Sequence, residues 1–276
     1  MKEFKSFFKT VTAAEGQRCK YPTRLDLYGC GCFHDCDYCY AKSLLDFRGL
    51  WHPEDPAVAN IEKVRSKLDK VPAGTVLRLG GMTDCFQPCE NNHRLTQQTI
   101  QMLNERGIGY LIVTKSDMVA DYIDIMDKQL AHIQVTVTSI EAQEYEKAPE
   151  PMKRVEAILK LQDAGFDVAI RLSPLMEEYM DFDRLNGLGI EKAVVEFLRV
   201  NTWVRRWLDA DFSKHTLKSG GYWHLPLEEK IRILEKVKIP SVTVCEDVQE
   251  HFNYWQTNVN PNKDDCCNLR KEETNE

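Results

Sequence analysis

Seven short apolar or β-branched runs recur along this chain, at Leu25–Tyr28, Val76–Leu79, Tyr110–Thr114, Ile133–Thr138, Val168–Leu172, Ala193–Leu198 and Ser241–Cys245. Runs apolar on both faces are what parallel strands buried on two sides require. The stretches between them carry helical signals. In Pro151–Ala164, Val155, Ile158, Leu159 and Leu161 fall largely on one side, and Gly165 stands where a C-terminal cap belongs. Pro226–Val237 opens with proline in its first turn, spaces Leu227, Ile231 and Leu234 helically, and stops before Pro240. Six or seven βα units with no break in composition predict an α/β fold, a partial or full (β/α) barrel of parallel strands. A doubly wound open sheet is the alternative. One domain over residues 1–276 is expected, with a short N-terminal extension (about 1–20) and a cysteine-bearing tail (about 246–276), frayed after about Glu272.

No run of apolar residues is long enough to cross a membrane as a helix. The opening Met-Lys-Glu-Phe-Lys-Ser-Phe-Phe is no secretory signal, so the expectation is a cytoplasmic protein with no membrane partner. In that reducing compartment the 10 cysteines are expected to bind metal or do chemistry rather than form disulfides. A net charge of -7 argues against a surface that traps nucleic acid everywhere. It leaves room for a local contact at Arg199, Arg205, Arg206, Lys214 and Lys218, interleaved with Trp203, Trp207 and Tyr222. That stretch reads either as a solvated basic face over core tryptophans or as a surface for single strands or a flipped base.

In a parallel barrel the site forms where strands end. Gly29-Cys30-Gly31-Cys32 follows the first run and Gly80-Gly81-Met82-Thr83-Asp84 the second. Lys115-Ser116 follows the third, Ser139 the fourth, and Arg171 lies near the end of the fifth. The first of these segments opens Cys32-Phe-His-Asp-Cys36-Asp-Tyr38-Cys39-Tyr40, a C-x3-C-x2-C spacing. Three thiolates on one loop suit a [4Fe–4S] cubane with one iron left open for catalysis. A zinc knuckle completed by Cys30 is the alternative, although zinc sites usually present two separated pairs.

This motif, closed by an aromatic residue and set after a first barrel strand, resembles the signature of the radical S-adenosylmethionine superfamily. The likeness is closer to the spore photoproduct lyase group. It rests on Cys36-Asp-Tyr-Cys39-Tyr40, on Gly81-Met-Thr-Asp-Cys85-Phe-Gln-Pro-Cys89-Glu90, on Val113-Thr-Lys-Ser116, and on Arg154-Val-Glu-Ala-Ile with Ala164-Gly165 and Ile170-Arg171-Leu-Ser-Pro174. The resemblance runs from about Leu25 to Leu175. It implies a lyase or transferase that binds S-adenosylmethionine on the open iron, takes one electron from a donor such as flavodoxin or ferredoxin, and makes a 5′-deoxyadenosyl radical. It implies Cys32, Cys36 and Cys39 as cluster ligands. Gly80, Gly81 and Thr83, with Met82 and Asp84 in the same turn, would meet the amino end of S-adenosylmethionine. Lys115, Ser116, Ser139 and Arg171 would serve its carboxylate and ribose, beside Tyr38. Tyr38 and Tyr40 would either relay a radical, as in that group, or pack beside the cluster. The group returns hydrogen through a cysteine just before this turn; Gly81 stands there here, which leaves Cys85 as the candidate.

Cys266 and Cys267 fit as thiolates for a second metal or cluster, with Cys85, Cys89 or Cys245, or for a thiophilic substrate. The leading expectation is therefore a radical enzyme acting on a nucleobase, nucleotide or related small molecule, with specificity set by residues within Met176–Gly221. Aminocarboxypropyl transfer from S-adenosylmethionine to a thiophilic or metalloid acceptor is the second. A non-catalytic, metal-stapled nucleic-acid-binding protein and a redox sensor are the readings from other classes.

Overall fold

The computed structural model describes residues 2–12, 18–260 and 265–269. The expected frayed tail after Glu272 lies outside them. The strands in chain order are β1 (Phe8–Thr10), β2 (Thr23–Leu25), β3 (Tyr28–Gly29), β4 (Ala57–Val58), β5 (Val76–Leu79), β6 (Gly109–Thr114), β7 (Ala131–Thr136), β8 (Asp167–Leu175), β9 (Lys192–Phe197), β10 (Leu217–Ser219), β11 (Tyr222–His224) and β12 (Ser241–Val244). Eight of them form one sheet in the order β1-β2-β5-β6-β7-β8-β9-β12. β1 runs antiparallel to β2, and every other neighbouring pair is parallel. The parallel strands follow chain order without reversal. A doubly wound sheet needs a point where that order turns back; this sheet has none, so it is a partial (β/α) barrel ending at β1 and β12.

Each of the seven predicted runs contributes to that sheet, with one change at the start. The first strand stops at Leu25, because Asp26 interrupts the run and its carboxylate is used elsewhere. Tyr28 and Gly29 then pair with Val58 and Ala57 in a separate ribbon. β8 is longer than predicted, so Arg171 sits within the strand rather than near its end.

The helices are α1 (Tyr40–Leu45), α2 (Ile61–Leu68), α3 (Glu90–His93), α4 (Leu95–Glu105), α5 (Pro151–Asp163), α6 (Phe182–Asn186), α7 (Val204–Trp207), α8 (Leu227–Leu234) and α9 (Gln249–Asn258). Their limits follow local chemistry. Asn60 Oδ1 accepts from the backbone N–H of Glu62 and Lys63 at 3.1 and 3.2 Å to start α2. α5 starts on Pro151, buries Val155, Ile158 and Leu161, and is followed by Gly165 at φ +81°. The core takes Leu25, Leu79, Ile112, Val135, Ile170, Val195 and Val244, one from each parallel strand. Burying each such side chain contributes roughly 1.5–3 kcal/mol.

The described part of the region expected as a tail is built into the fold. α9 buries Trp255 completely. Residues 265–269 cross the sheet: Gln134 Nε2 of β7 donates to the Cys267 carbonyl at 2.8 Å, and Thr243 Oγ1 of β12 donates to that of Cys266 at 2.8 Å. No described helix is long and apolar enough to cross a membrane.

Candidate active site

The cysteine loop is a succession of tight turns. Asp35 N donates to the Cys32 carbonyl at 3.0 Å and Cys39 N to that of Cys36 at 3.1 Å. Cys30 and Asp35 adopt positive φ of 57° and 39°, conformations an uncoiled loop would avoid. Gly31 is required where it stands, since a Cβ there would lie 1.9 Å from the His52 carbonyl oxygen. Cys39 opens α1, its sulfur accepting from Lys42 N at 3.5 Å. These turns bring all three sulfurs to one cavity at the carboxyl ends of the strands. Burial pushes all three thiols up, and the Lys115 charge opposes it at Cys36 and Cys39. A buried thiol of this kind sheds its proton when a metal takes its place.

Across the cavity stands the turn that follows β5. Gly80 has φ +82°, and a Cβ on it would meet the Val113 carbonyl oxygen at 2.7 Å. Asp26 Oδ1 accepts from Gly81 N at 2.6 Å and Met82 N at 2.8 Å, which fixes the turn's backbone. Thr83 Oγ1 donates to the Tyr28 carbonyl at 2.5 Å, and the Tyr40 hydroxyl donates to the Gly81 carbonyl. Asp84 uses both oxygens within the protein. Oδ1 accepts from Phe86 N and Thr114 Oγ1 at 2.8 and 2.7 Å; Oδ2 accepts from Lys115 N at 2.6 Å and faces His34 Nε2 at 3.1 Å. Burial disfavours its charge, yet the His34 contact and these N–H groups hold its carboxyl below the usual range. Gln87 and Glu90 are equally internal. Gln87 Oε1 accepts from Phe33 N at 3.1 Å, and Glu90 accepts from the hydroxyls of Tyr28 and Tyr122 and from Thr96 N.

Two charge networks, the first buried and the second half-buried, line the cavity. In the first, Asp37 N donates to the Tyr145 carbonyl and Lys147 N to that of His34, pinning the loop around Glu146 against the cysteines. Glu146 Oε1 accepts from Arg154 at 2.6 Å, Oε2 accepts from the Tyr38 hydroxyl, and Lys115 Nζ lies 3.5 Å from Oε2. Burial works against its charge, but Lys115 and Arg154 hold its carboxyl down at about 2. Lys115 Nζ lies 4.9 Å over the Tyr38 ring and makes no hydrogen bond among the described residues. In the second, Arg171 donates to Gln134 Oε1 and Glu196 Oε2, both at 2.7 Å. Arg199 reaches Glu196 and Asp247 at 3.3 Å.

Of the candidates from sequence, Cys32, Cys36, Tyr38, Cys39, Tyr40, Gly80, Gly81, Met82, Thr83, Asp84, Lys115 and Arg171 line this one cavity. Ser116 and Ser139 do not. Ser116 caps the following helical turn through Met118 N, and Ser139 turns to Glu141 N and Gln143 in a neighbouring depression. Cys85 lies in the main hydrophobic core, away from the cavity. Cys266 and Cys267 are buried against Leu111, with Cys245 beside them. Sequence reasoning missed Asp26, His34, Arg78, Glu146 and Glu196. Asp26 and Glu196 carried a usable signal, an acid inside a run otherwise apolar; Glu146 sits in a loop with no motif of its own.

No protein-family model matches this chain, and no curated protein matches it in sequence. Its structure does match solved ones. Spore photoproduct lyase complexed with dinucleoside spore photoproduct aligns with a TM-score of 0.65 at 15% identity, covering 88% of this chain and 80% of that one. A point mutant of spore photoproduct lyase gives 0.68 at 16% identity, covering 89% and 81%. A double mutant of it with bound AdoMet and dinucleoside spore photoproduct gives 0.65 at 16%, with the same coverage. The fold of this chain, with its strands in sequential order and its cavity at their carboxyl ends, is similar to that of spore photoproduct lyase.

Proposed function

We propose that this protein is a radical S-adenosylmethionine enzyme acting on a nucleobase or nucleotide. The observation that carries the reading is the convergence, in one cavity, of three cysteine sulfurs from a single loop, the Gly80–Asp84 turn, and the cations of Lys115 and Arg171. The donor set fits a [4Fe–4S] cluster: three soft ligands, short of the four a closed site needs. When bound, the cluster and S-adenosylmethionine supply reductive cleavage of a carbon–sulfur bond and an organic radical.

The chain's own residues position and shield. Gly80 and Gly81 let the turn pack against the Val113 carbonyl and the Arg24 side chain, where a Cβ would clash, and Asp26 holds that turn rigid at the cavity wall. Lys115 has a free N–H set for a carboxylate, with Glu146 balancing its charge. Arg171 presents a guanidinium whose direction is set by Gln134 and Glu196. Cys85 lies in the core, and the cysteines that line the cavity are Cys32, Cys36 and Cys39. Hydrogen return through a fourth thiol, as expected of Cys85, therefore has no support in the geometry; Tyr38 and Tyr40 line the cavity in its place.

The substrate class is supported by two observations. One protein of similar fold, spore photoproduct lyase, was solved complexed with dinucleoside spore photoproduct. Beside the cavity, Arg199 lies over Tyr40 and Tyr222 at 5.5 and 5.7 Å, Lys42 over Trp207 at 4.9 Å, and Trp203 stands 5.7 Å from Trp207. Aromatic faces backed by cations suit stacking of a base and attraction of its phosphate. A flavodoxin or ferredoxin would serve as electron donor.

The test is anaerobic reconstitution with iron and sulfide, reduction in the presence of S-adenosylmethionine, and product analysis. 5′-Deoxyadenosine is expected, and Cys36→Ala should abolish it. Methylthioadenosine instead would establish aminocarboxypropyl transfer. A protein that binds no iron and leaves S-adenosylmethionine intact would overturn the proposal.

A further inference from the structure

Four lysine and arginine side chains line the cavity, and three of them face an acid. Lys115 Nζ lies 3.5 Å from Glu146, Arg171 lies 2.7 Å from Glu196, and Arg199 lies 3.3 Å from Glu196 and from Asp247. Arg78 of β5 is the fourth. It makes no ion pair among the described residues, and its Nε is buried without a hydrogen-bond partner.

Its neighbour deepens the imbalance. Arg24 of β2 is the register partner of Arg78 in the parallel β2–β5 pair. Residues in register on parallel strands project from the same face, so the two cations stand side by side and repel. Arg24 Nε is also buried and unpartnered, while its Nη1 reaches the hydroxyl of the cavity-lining Tyr40 at 3.3 Å. Asp26 does not relieve them. Its Oδ1 is spent on the N–H groups of Gly81 and Met82, and it pairs with neither arginine among the described residues. Half-buried cations without a counter-ion cost stability, so packing gives no reason to keep two together. An anion from outside does. Beneath Arg78 the barrel is closed: Val76, two residues earlier, and Leu111, its register partner on β6, pack with Cys266 and Cys267.

We infer that Arg78, with Arg24 beside it, anchors the terminal phosphate of a nucleotide substrate. The anion site stands on the geometry; that its occupant belongs to a nucleotide rests on the function proposed above. A guanidinium fork matches two phosphate oxygens at once. A phosphate within a nucleic-acid strand needs an exit on either side for the continuing chain. The closed end below Arg78 offers none, which selects a phosphate at the end of the ligand.

The experiment is equilibrium dialysis of the reconstituted full chain under anaerobic conditions. The probes are the deoxynucleoside 5′-monophosphates, the matching nucleosides, and S-adenosylmethionine. At least one monophosphate should bind about tenfold or more tightly than its nucleoside, the scale of a charge-assisted hydrogen bond. Arg78→Met should erase that difference, Arg24→Met should reduce it, and Arg78→Lys should keep part of it. Urea unfolding without ligand separates this role from a structural one. Arg78→Met removes an unpaired charge, so its midpoint should equal or exceed that of the parent. A lower midpoint with unchanged nucleotide binding would make Arg78 structural and overturn the inference. So would equal binding of nucleotides and nucleosides by the parent. A variant that loses S-adenosylmethionine rather than the nucleotide would also overturn it, by giving the guanidinium to the cofactor's carboxylate. Cleavage of S-adenosylmethionine by the parent, measured on the same preparation, reports the enzymatic reading separately: cleavage without a preference for phosphate sinks the anchor alone.

Discussion

His34 Nε2 stands 3.1 Å from Asp84 Oδ2, and through that contact the loop carrying three cysteines is tied to the turn after β5. Asp84 also receives the N–H of Phe86 and Lys115 and the hydroxyl of Thr114. One carboxylate therefore sets the distance between the cysteines and the face opposite them.

Asp84→Ala should leave these buried donors without an acceptor. A loss of about 3 kcal/mol in stability is expected, since each unsatisfied buried group costs roughly 1–3 kcal/mol. Urea unfolding measures this. Iron retained after reconstitution should fall as well, because the cysteine loop loses its anchor. Unchanged stability with full iron would show that His34 and Gln87 hold the loop unaided.

Lys115→Met removes the cation that faces the cavity without a hydrogen bond. S-adenosylmethionine should bind about tenfold or more weakly, the scale of one lost charge-assisted hydrogen bond. Lys115→Arg should recover part of it. Equilibrium dialysis of reconstituted protein is the measurement; equal affinities in all three proteins would remove Lys115 from carboxylate recognition.

How much of this was legible beforehand divides along physical lines. Parallel strands buried on both faces leave an unbroken apolar signature, and all seven runs became strands. The cysteine spacing is local in sequence, so the three cysteines that meet in the cavity could be read directly. Glu146 could not: its role exists only because two loops hydrogen-bond each other in space and Lys115 and Arg154 arrive from separate elements. Asp84 was read with the cofactor-contacting turn, whereas its side chain, like those of Gln87 and Glu90 further along the motif, mainly braces the surrounding loops. A motif read from sequence does not separate what touches a ligand from what holds the wall in place.

Acid should weaken the protein through Glu196. Burial opposes its charge, but Arg171 and Arg199 hold its carboxyl at about 2, against an ordinary value of 4.5. Because the folded pKa is the lower one, the stabilisation is complete above 4.5 and is lost as pH falls towards about 2. Over that window the unfolded chain takes up a proton that the folded chain refuses. Glu196→Gln should be less stable at neutral pH and should show a shallower loss of stability across the same window. Parallel slopes for variant and parent in urea titrations would assign the acid sensitivity to other groups.

Arg205→Ala/Arg206→Ala tests the contact surface. Arg205 lies 4.8 Å over Trp223 and Arg206 5.1 Å over Trp203. Binding of a single-stranded oligonucleotide should weaken and its salt dependence should become shallower. Cleavage of S-adenosylmethionine without substrate should be unaffected. Identical oligonucleotide binding by variant and parent would leave the cations a packing role.

The crossing of residues 265–269 over the sheet bears on how the protein is made. Ribosomes deliver the cysteine loop early and this segment late, yet Arg171 is aimed by Gln134, and Gln134 by the carbonyl of Cys267. A nascent chain thus displays all three sulfurs of the loop long before the guanidinium opposite them is steadied. Iron could be captured while translation is still under way, whereas a pocket competent to hold a second ligand in one orientation is complete only when those late residues have settled in place.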